Sequence, residues 1–406
     1  MNGKQMQQIL EETSYVRTGG TKEELQCAEY LKDKCSKLGL QAVLEPFEVK
    51  MFAMQEAKLW IDGKEISCKG YYNGGSGNIQ APLYYLTNAD AYSLSQCRGK
   101  IVLIDAAAGY WMYQDFLKHG VAGFITYEGN LNFVDRDIDQ KELRFEISEE
   151  QKIPGVNIHV RDAVEIVKSS AKTARIQIQQ TKSTGTSYNV VLDLAGEKDE
   201  WIILSAHYDS TYLSKGIYDN MSSCIALLYM AEYFVNRSRK YGLRFLWCGS
   251  EERGLLGSKA YCDMHAEDLQ KTVLNINMDM LGCAMGCFVA FVAAEERAAH
   301  YIEYLAAEYG FGIETRYGLR SSDSNSFADK GVPAVSFARY APGCVAPIHT
   351  RYDNLEVMSA QQLEKDIEFI TIFIKRMVEA KKCPISKEIP DKIREDLDVY
   401  FWRKRK

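Results

Sequence analysis

The second half of the chain alternates short apolar runs with stretches that have helical spacing. Residues 201–204, 243–248 and 273–278 are dominated by apolar side chains and are bounded by polar turns. Short runs of this kind, rich in branched and aromatic residues, are typical of buried strands. Residues 224–234 carry apolar side chains three and four positions apart, which predicts a helix that crosses back over a sheet.

This alternation continues to residue 377, where a long amphipathic helix ends. Alternating strands and helices favour a mixed or mostly parallel sheet with helices on both faces, so we predict an α/β fold with a three-layer αβα domain. Near the start, residues 21–38 predict a helix with a capping box, and residues 41–47 predict a strand. We assign this opening to the same domain, which then comprises residues 1–50 and 184–385.

The segment 51–183 has a different texture, with short strands, glycine-rich turns and few residues suited to catalysis. We predict that it forms a separate β-rich domain inserted into the first. The charged residues 386–406 form a tail that is either an appended helix or a segment that binds a partner. With 406 residues, the chain is long enough for two domains with a core each.

The composition and net charge of the chain indicate which classes of binding partner to expect. The formal net charge of −6 is mild, so neither nucleic acid nor an anionic membrane surface is expected as a partner. No apolar run reaches the length of a membrane span, and the first residues lack the apolar core of a secretion signal. We therefore expect a cytoplasmic protein, unless a leader is missing from this sequence, and we expect the 11 cysteines to be free core thiols.

Chemically reactive side chains follow the ends of the three predicted strands. His207 and Asp209 come after the first strand, the pair Glu251 and Glu252 after the second, and Asp279 after the third. Ligands collect at the carboxyl ends of strands in open α/β sheets, so we expect these side chains to converge on one site. Asp209 is placed to accept the second ring N–H of His207. One of the paired glutamates can bind a metal while the other stays free as a base.

Two loops add to this set. Asp219 lies in a glycine-flanked loop, where its two oxygens could bridge two metal ions. His349 lies in a loop before a helix, with Asp353 near enough to orient it. Imidazole and carboxylate ligands without thiolates favour zinc, with cobalt or manganese as substitutes.

Five motifs carry these residues and a sixth, SSDSNSF, carries Ser322 and Asp323. Along the chain the order is AHYDS, YDNMSS, GSEERGLLGS, NMDMLG, SSDSNSF and IHTRYD. This series resembles the zinc-dependent aminopeptidase family. Its members are co-catalytic dizinc metallopeptidases that include bacterial leucyl aminopeptidases and are related to glutamate carboxypeptidase and transferrin receptor. The resemblance extends to about residue 380. The insert 51–183 resembles the protease-associated domain that several of these relatives carry.

The resemblance implies two bound zinc ions, with cobalt or manganese as substitutes. Asp219 would bridge the two ions. His207 and Asp279 would complete the site of one ion, and Glu252 and His349 would complete the site of the other. The family also has a cis peptide bond after the bridging aspartate, so we expect one here.

The same resemblance makes Glu251 the general base and Asp209 the partner of His207. The implied activity is hydrolysis of the N-terminal residue from a peptide with a free N-terminus, with no nucleic acid or membrane as partner and a homodimer left open. A carboxypeptidase or a glutaminyl cyclase on the same scaffold is the first alternative. A non-catalytic binding homologue is the second, although it would require lost ligands and every expected ligand is present.

Several other residues bear on the substrate pocket. Tyr218 stands where relatives usually carry a small or acidic residue. The tyrosine that stabilises the oxyanion in relatives has two candidates, Tyr317 and Tyr340. Arg320 or Arg339 is a candidate to face a substrate carboxylate, with a surface salt bridge as the more ordinary role for each.

Overall fold

The computed structural model describes residues 1–406, and the chain forms two compact units. Unit 1 comprises Met1–Val49, Gly185–Lys404 and Lys406, and unit 2 comprises Lys50–Thr184 and Arg405. All of the cysteines are free thiols. None of the helices is both long and apolar enough to cross a lipid bilayer.

Strands and helices alternate along most of the chain. The strands are β1 (Val43–Ile61), β2 (Lys64–Ile66), β3 (Cys68–Gly70), β4 (Gly77–Leu86), β5 (Ile101–Ile104), β6 (Gly123–Glu128), β7 (Gly155–His159), β8 (Thr173–Leu194), β9 (Trp201–His207), β10 (Gly242–Cys248), β11 (Thr272–Met278), β12 (Cys287–Ala293), β13 (Glu314–Tyr317) and β14 (Ala334–Tyr340). The helices are α1 (Gly3–Glu12), α2 (Lys22–Lys37), α3 (Ala91–Ser95), α4 (Tyr110–His119), α5 (Val160–Lys168), α6 (Ser222–Phe234), α7 (Leu256–Met264), α8 (Arg297–Tyr309), α9 (Ser324–Asp329), α10 (Ala360–Glu379) and α11 (Asp391–Tyr400).

Unit 1 is built on a mixed sheet with the strand order β13-β12-β14-β11-β9-β10-β8. In its centre, β9 pairs in parallel with β10 and β11, and β11 pairs in parallel with β14. The pairing becomes antiparallel where β8 meets β10 and where β12 meets β14. The predicted mixed α/β sheet with helices is therefore confirmed.

Helices cover both faces of this sheet. Ile202 and Leu204 of β9 pack in one apolar core with α2, α6 and α10, whereas Ile203 packs in a second core with α7 and α9. Because successive side chains of a strand point to opposite faces, the two cores lie on opposite sides of the sheet. Burial on both sides explains why this strand is apolar throughout rather than alternating with polar residues.

The register of the central strands sets the position of their ends. His207, the last residue of β9, lies beside Cys248, the last residue of β10. Near the end of β11, Asn277 lies beside Ser205 of β9. The parallel strands therefore deliver the loops that follow them to the same edge of the sheet.

Unit 2 has its own strand order, β8-β4-β5-β6-β7-β3. Strands β4 to β7 are parallel neighbours, and β8 and β3 pair antiparallel at the two ends. Ile101 and Leu103 of β5 pack in one apolar core, whereas Val102 and Ile104 pack in another with helix α4. This unit thus also buries both faces of its sheet.

The C-terminal tail folds as a helix. Ile393 and Leu397 of α11 are buried in one apolar cluster with Ala293, Ala328 and Ala334. Within residues 386–406, Asp391–Tyr400 therefore form a helix that packs in an apolar cluster.

Candidate metal centre

Two histidines face the two oxygens of one aspartate at the edge of the sheet in unit 1. His207 ends β9, and its Nε2 lies 3.1 Å from Asp219 Oδ1. His349 Nε2 lies 3.2 Å from the second oxygen, Oδ2. Both His207 and Asp219 are buried. Each oxygen of this single carboxylate therefore lies beside a different imidazole.

Further carboxylates complete a group around each histidine. Asp279 directly follows β11, and its Oδ1 lies 3.7 Å from His207 Nε2. Glu252 lies in the turn after β10, and its Oε1 lies 3.1 Å from His349 Nε2. The chain thus forms two groups of potential metal ligands that share Asp219. The first group is His207, Asp219 and Asp279, and the second is His349, Asp219 and Glu252. Within each group, the ligand atoms lie within 4.8 Å of one another.

Glu251 lies beside the first of these groups. Its Oε2 is 4.0 Å from His207 Nε2, and its side chain keeps 13% of its surface exposed. The neighbouring Glu252 side chain is only 5% exposed. His207, Glu251 and Glu252 form a third group of potential ligands, whose atoms lie within 4.8 Å of one another, and of the two glutamates Glu251 keeps more access to water.

Asp209 contacts both the first histidine and the glutamate turn. Its Oδ1 lies 3.4 Å from His207 Nδ1, which is an ion-pair distance, and this ring nitrogen makes no hydrogen bond. The same carboxylate accepts the backbone N–H of Glu251 at 2.9 Å and that of Glu252 at 3.1 Å. Asp209 is fully buried. Its two charge-assisted bonds therefore fix the turn that carries both glutamates, a contact that the sequence did not indicate.

Glu24 of α2 holds the same turn and was missed as part of the site. One of its oxygens accepts the backbone N–H of Ser250 and the hydroxyl of Ser187, both at 2.8 Å, and the other accepts the N–H of Gly20 at 2.6 Å. Ser250 has a φ of 53°, in the left-handed region that residues with a side chain rarely adopt. The buried carboxylate of Glu24 therefore holds a strained residue in place. The nearest signal in the sequence was the capping box. Thr21 does cap α2, but the carboxylate of Glu24 is used elsewhere.

Asp353 and Asn220 fix the loop that carries the shared aspartate. Asp353 accepts the backbone N–H of Tyr218 at 2.7 Å and that of Asp219 at 3.2 Å. The Asn220 side chain donates to the last carbonyl of β11 at 3.0 Å. The peptide bond between Asp219 and Asn220 is cis, as predicted. The prediction that Asp353 orients His349 is corrected, because the structure places its carboxylate against the aspartate loop instead.

Buried carboxylates outnumber the positively charged groups at the site. Burial, opposed by His207, raises the pKa of the Glu251 carboxyl well above its usual range, and the charges of Glu252 and Asp323 raise it further. Burial alone lowers the pKa of the His207 imidazole, but the surrounding carboxylates outweigh it and raise that pKa well above its ordinary value. Asp279 Oδ1 is buried without a hydrogen-bond partner. An excess of buried carboxylates with an unpartnered oxygen beside an imidazole fits a bound metal cation.

Comparison with known proteins identifies the domain that carries this centre. Residues 189–371 match peptidase family M28. The chain is a metallopeptidase with a family M28 domain. The chain is similar to aminopeptidase YwaD of Bacillus subtilis, which is 25% identical over 388 residues that cover 91% of this chain and 82% of that protein. A probable leucine aminopeptidase 2 of Aspergillus fumigatus is 25% identical over 325 residues, covering 75% of this chain and 64% of that protein.

Solved structures share the fold. An aminopeptidase from Aneurinibacillus sp. strain AM-1 superimposes with a TM-score of 0.77 at 21% identity, covering 95% of this chain and 96% of that chain. BSAP, a zinc aminopeptidase from Bacillus subtilis, gives a TM-score of 0.77 at 23% identity, covering 96% of this chain and 98% of that chain. The fold of the M28 domain and of the rest of the chain is therefore one already seen in these structures.

The remaining pocket candidates are separated by their contacts. Tyr317 packs in the apolar cluster that contains the C-terminal helix α11. Tyr340 ends β14, and the guanidinium of Arg320 lies 4.6 Å from the centre of its ring. Arg339 Nε donates to Asp366 Oδ2 at 2.9 Å, and because Asp366 is buried, this is a buried salt bridge rather than a surface one. Of these candidates, Arg320 lies beside the candidate metal centre, with Nη2 3.5 Å from Asp279 Oδ2, and Tyr340 lies against Arg320.

Proposed function

We propose that this protein is a dizinc aminopeptidase that removes the N-terminal residue from peptides with a free N-terminus. The observation that carries the proposal is the pair of ligand groups that share Asp219, with a different histidine at each oxygen. The names of its relatives support it, because they describe an aminopeptidase, a leucine aminopeptidase and, for one solved structure, a zinc aminopeptidase.

Each proposed zinc ion has its own set of ligands. His207, Asp279 and one oxygen of Asp219 would hold the first ion, and Glu252, His349 and the other oxygen would hold the second. Nitrogen and carboxylate donors without thiolates suit zinc, with cobalt or manganese as substitutes. When bound, the ions would supply Lewis-acid activation of a water molecule and of the scissile carbonyl.

Glu251 is the proposed general base. Its carboxylate lies beside the first ligand group and is more exposed than that of Glu252, so it can reach a water molecule. It takes a proton from the attacking water and returns a proton to the departing amine. Asp209 positions this base by accepting its backbone N–H, and it lies against the ring of His207 at the same time.

The test measures metal content and turnover together. Zinc-restored protein should contain two zinc ions per chain and release nitroaniline from aminoacyl 4-nitroanilides, whereas chelator-treated protein should not. Glu251→Gln should keep both ions and lose turnover by roughly a thousandfold, as expected for a lost proton-transfer group. Glu29→Gln, on the exposed side of α2, is the matched control and should behave as wild type. One zinc per chain, or full activity of Glu251→Gln, would contradict the proposal.

The same samples separate an aminopeptidase from a glutaminyl cyclase. A peptide that begins with glutamine yields free glutamine and a shortened peptide if it is hydrolysed, and a pyroglutamyl peptide with release of ammonia if it is cyclised. We expect the shortened peptide, which mass spectrometry distinguishes from the cyclic product.

We also propose that unit 2 is a protease-associated domain. Its support is that Lys50–Thr184 forms a compact strand-rich unit inserted in the chain between two segments of unit 1, with a sheet and small helices of its own.

A further inference from the structure

A buried arginine lies beside the metal centre with a nitrogen donor unused. Arg320 lies in the loop between β13 and α9, and its side chain is only 9% exposed. Its Nη2 lies 3.5 Å from Asp279 Oδ2, which is longer than a typical charge-assisted hydrogen bond. Its Nη1 is buried and has no hydrogen-bond partner. A guanidinium stays charged and carries five N–H donors, so leaving a donor buried and unpaired costs free energy.

Aromatic rings hold this guanidinium in position. Its central carbon lies 4.6 Å from the centre of the Tyr340 ring and 5.6 Å from that of Phe291. Stacking on ring faces leaves the N–H edge of a guanidinium available for a partner in its own plane. Arg316 contacts the same two rings, but it is half-exposed and its Nε already donates to Glu314 at 2.7 Å. Arg320 is therefore the arginine of this pair with an unfilled, buried donor.

We propose that Arg320 binds a carboxylate of the substrate. The carboxylate is either the acidic side chain of the N-terminal residue or the α-carboxylate of a dipeptide, since both lie within one residue of the scissile bond. This inference rests on the proposed function, because it takes Asp279 as a metal ligand. A metal cation bound to Asp279 would offset the negative charge of the carboxylate that faces Arg320. The guanidinium would then be neutralised by an anion that enters with the substrate. The planar fork of a guanidinium matches a carboxylate through two parallel N–H···O bonds.

The competing role for Arg320 is support of Asp279 alone. In that case its removal would weaken metal binding or slow every substrate by the same factor. A role in recognition predicts a different result, because only substrates with a carboxylate would suffer. The ratio between matched charged and neutral substrates therefore separates the two roles.

The kinetic test uses two matched pairs on zinc-loaded protein. Glutamyl and glutaminyl 4-nitroanilide differ only in the side-chain charge, and leucylleucine and its amide differ only in the C-terminal charge. In Arg320→Met, the charged-to-neutral ratio of kcat/KM should fall by roughly ten- to a hundredfold in one of the two pairs, which is the usual value of a hydrogen bond to a charged group. The pair that responds identifies the source of the carboxylate. Arg320→Lys keeps the charge without the fork and should fall between wild type and Arg320→Met.

A binding measurement gives a readout that does not depend on turnover. In the Glu251→Gln background, calorimetry should show that Arg320→Met weakens L-glutamate relative to L-glutamine, or leucylleucine relative to its amide, by a similar factor. Zinc content and melting temperature of Arg320→Met confirm that the variant is folded and loaded. Arg316→Met removes the neighbouring guanidinium and should leave every ratio within about twofold of wild type.

Each outcome decides one of the two proposals. If both ratios are unchanged in Arg320→Met, by rates and by binding, Arg320 does not recognise a carboxylate. If the zinc-loaded wild type hydrolyses no substrate, the aminopeptidase proposal fails, and the binding ratios still decide the role of Arg320.

Discussion

Glu24→Gln should change how the stability of this protein depends on pH. Glu24 is fully buried, and its carboxylate accepts hydrogen bonds from Gly20, Ser187 and Ser250. Burial first, and the nearby charge of Asp209 second, raise the pKa of this carboxyl from 4.5 to about 8. Between these two values the folded protein holds a proton that the unfolded chain releases. This contribution to stability is therefore complete below pH 4.5 and is lost as the pH rises through about 8.

The size of the effect follows from the width of that window. A proton that is bound only in the folded state changes the free energy of unfolding by about 1.4 kcal/mol per pH unit. Between pH 4.5 and about 8, the free energy of unfolding of wild type should therefore fall by up to about 5 kcal/mol. Glutamine does not titrate, but its NH₂ group cannot accept the N–H of Gly20, which should cost about 1–3 kcal/mol at every pH. The variant should therefore be less stable than wild type at low pH and more stable at pH 8, with the two curves crossing between about pH 5 and 7.

Urea unfolding of the chelator-treated proteins, repeated from pH 5 to 8.5, measures both curves. Glu29→Gln lies on the exposed side of the same helix and should follow wild type throughout. A difference between wild type and Glu24→Gln that stays constant within about 0.5 kcal/mol over this range would refute the argument, because it would show that Glu24 does not change its charge on unfolding.

Three further predictions test the supports of the site and the tail. Asp353→Asn should weaken zinc binding roughly ten- to a hundredfold in a competition assay with a chromogenic chelator, because the carboxylate holds the loop of the shared aspartate; an unchanged affinity would count against that support. Gly19→Ala should lower kcat by about a hundredfold, since an added Cβ would lie 2.3 Å from the Ser250 hydroxyl and push the glutamate turn. Gly312→Ala, with open space around the added atom, is its control and should keep wild-type kcat. Leu397→Ala should destabilise the protein by about 2–5 kcal/mol in thermal or urea unfolding, because it empties a buried position beneath α11; a change below about 0.5 kcal/mol would show that the helix does not depend on this contact.

The local elements were readable from the sequence because their signals are local. The apolar runs at 201–204 and 243–248 lie within strands β9 and β10, and the helical spacing at 224–234 lies within α6. Burial on both sides of a parallel sheet demands continuous apolar runs, so the pattern alone reveals them. Strand lengths were less readable. A strand was predicted at 41–47, whereas β1 continues without a break to Ile61, because solvent-facing residues within it weaken the apolar signal.

The residues of the candidate metal centre were predicted from their place in the chain, and their supports were not. His207 ends one strand, and Glu252 and Asp279 follow the ends of its neighbours, so the sequence predicts that they meet because parallel strands end at the same edge. No such rule leads from Glu24 to Ser250, which lie 226 positions apart. Asp353 illustrates the same limit, because its position beside a histidine in the sequence suggested a partner that the structure does not give it.

The sequence by itself determined which side chains are available for chemistry and on which strands and loops they lie, since strand and loop identity follow from local patterns of apolar and polar residues. Only the tertiary structure decided which backbone N–H groups each buried carboxylate accepts, and that Arg320 is buried with a free donor. The physical reason is that a buried polar group must find a partner wherever the packed chain offers one, and that partner is set by how distant loops come together rather than by neighbours in the sequence.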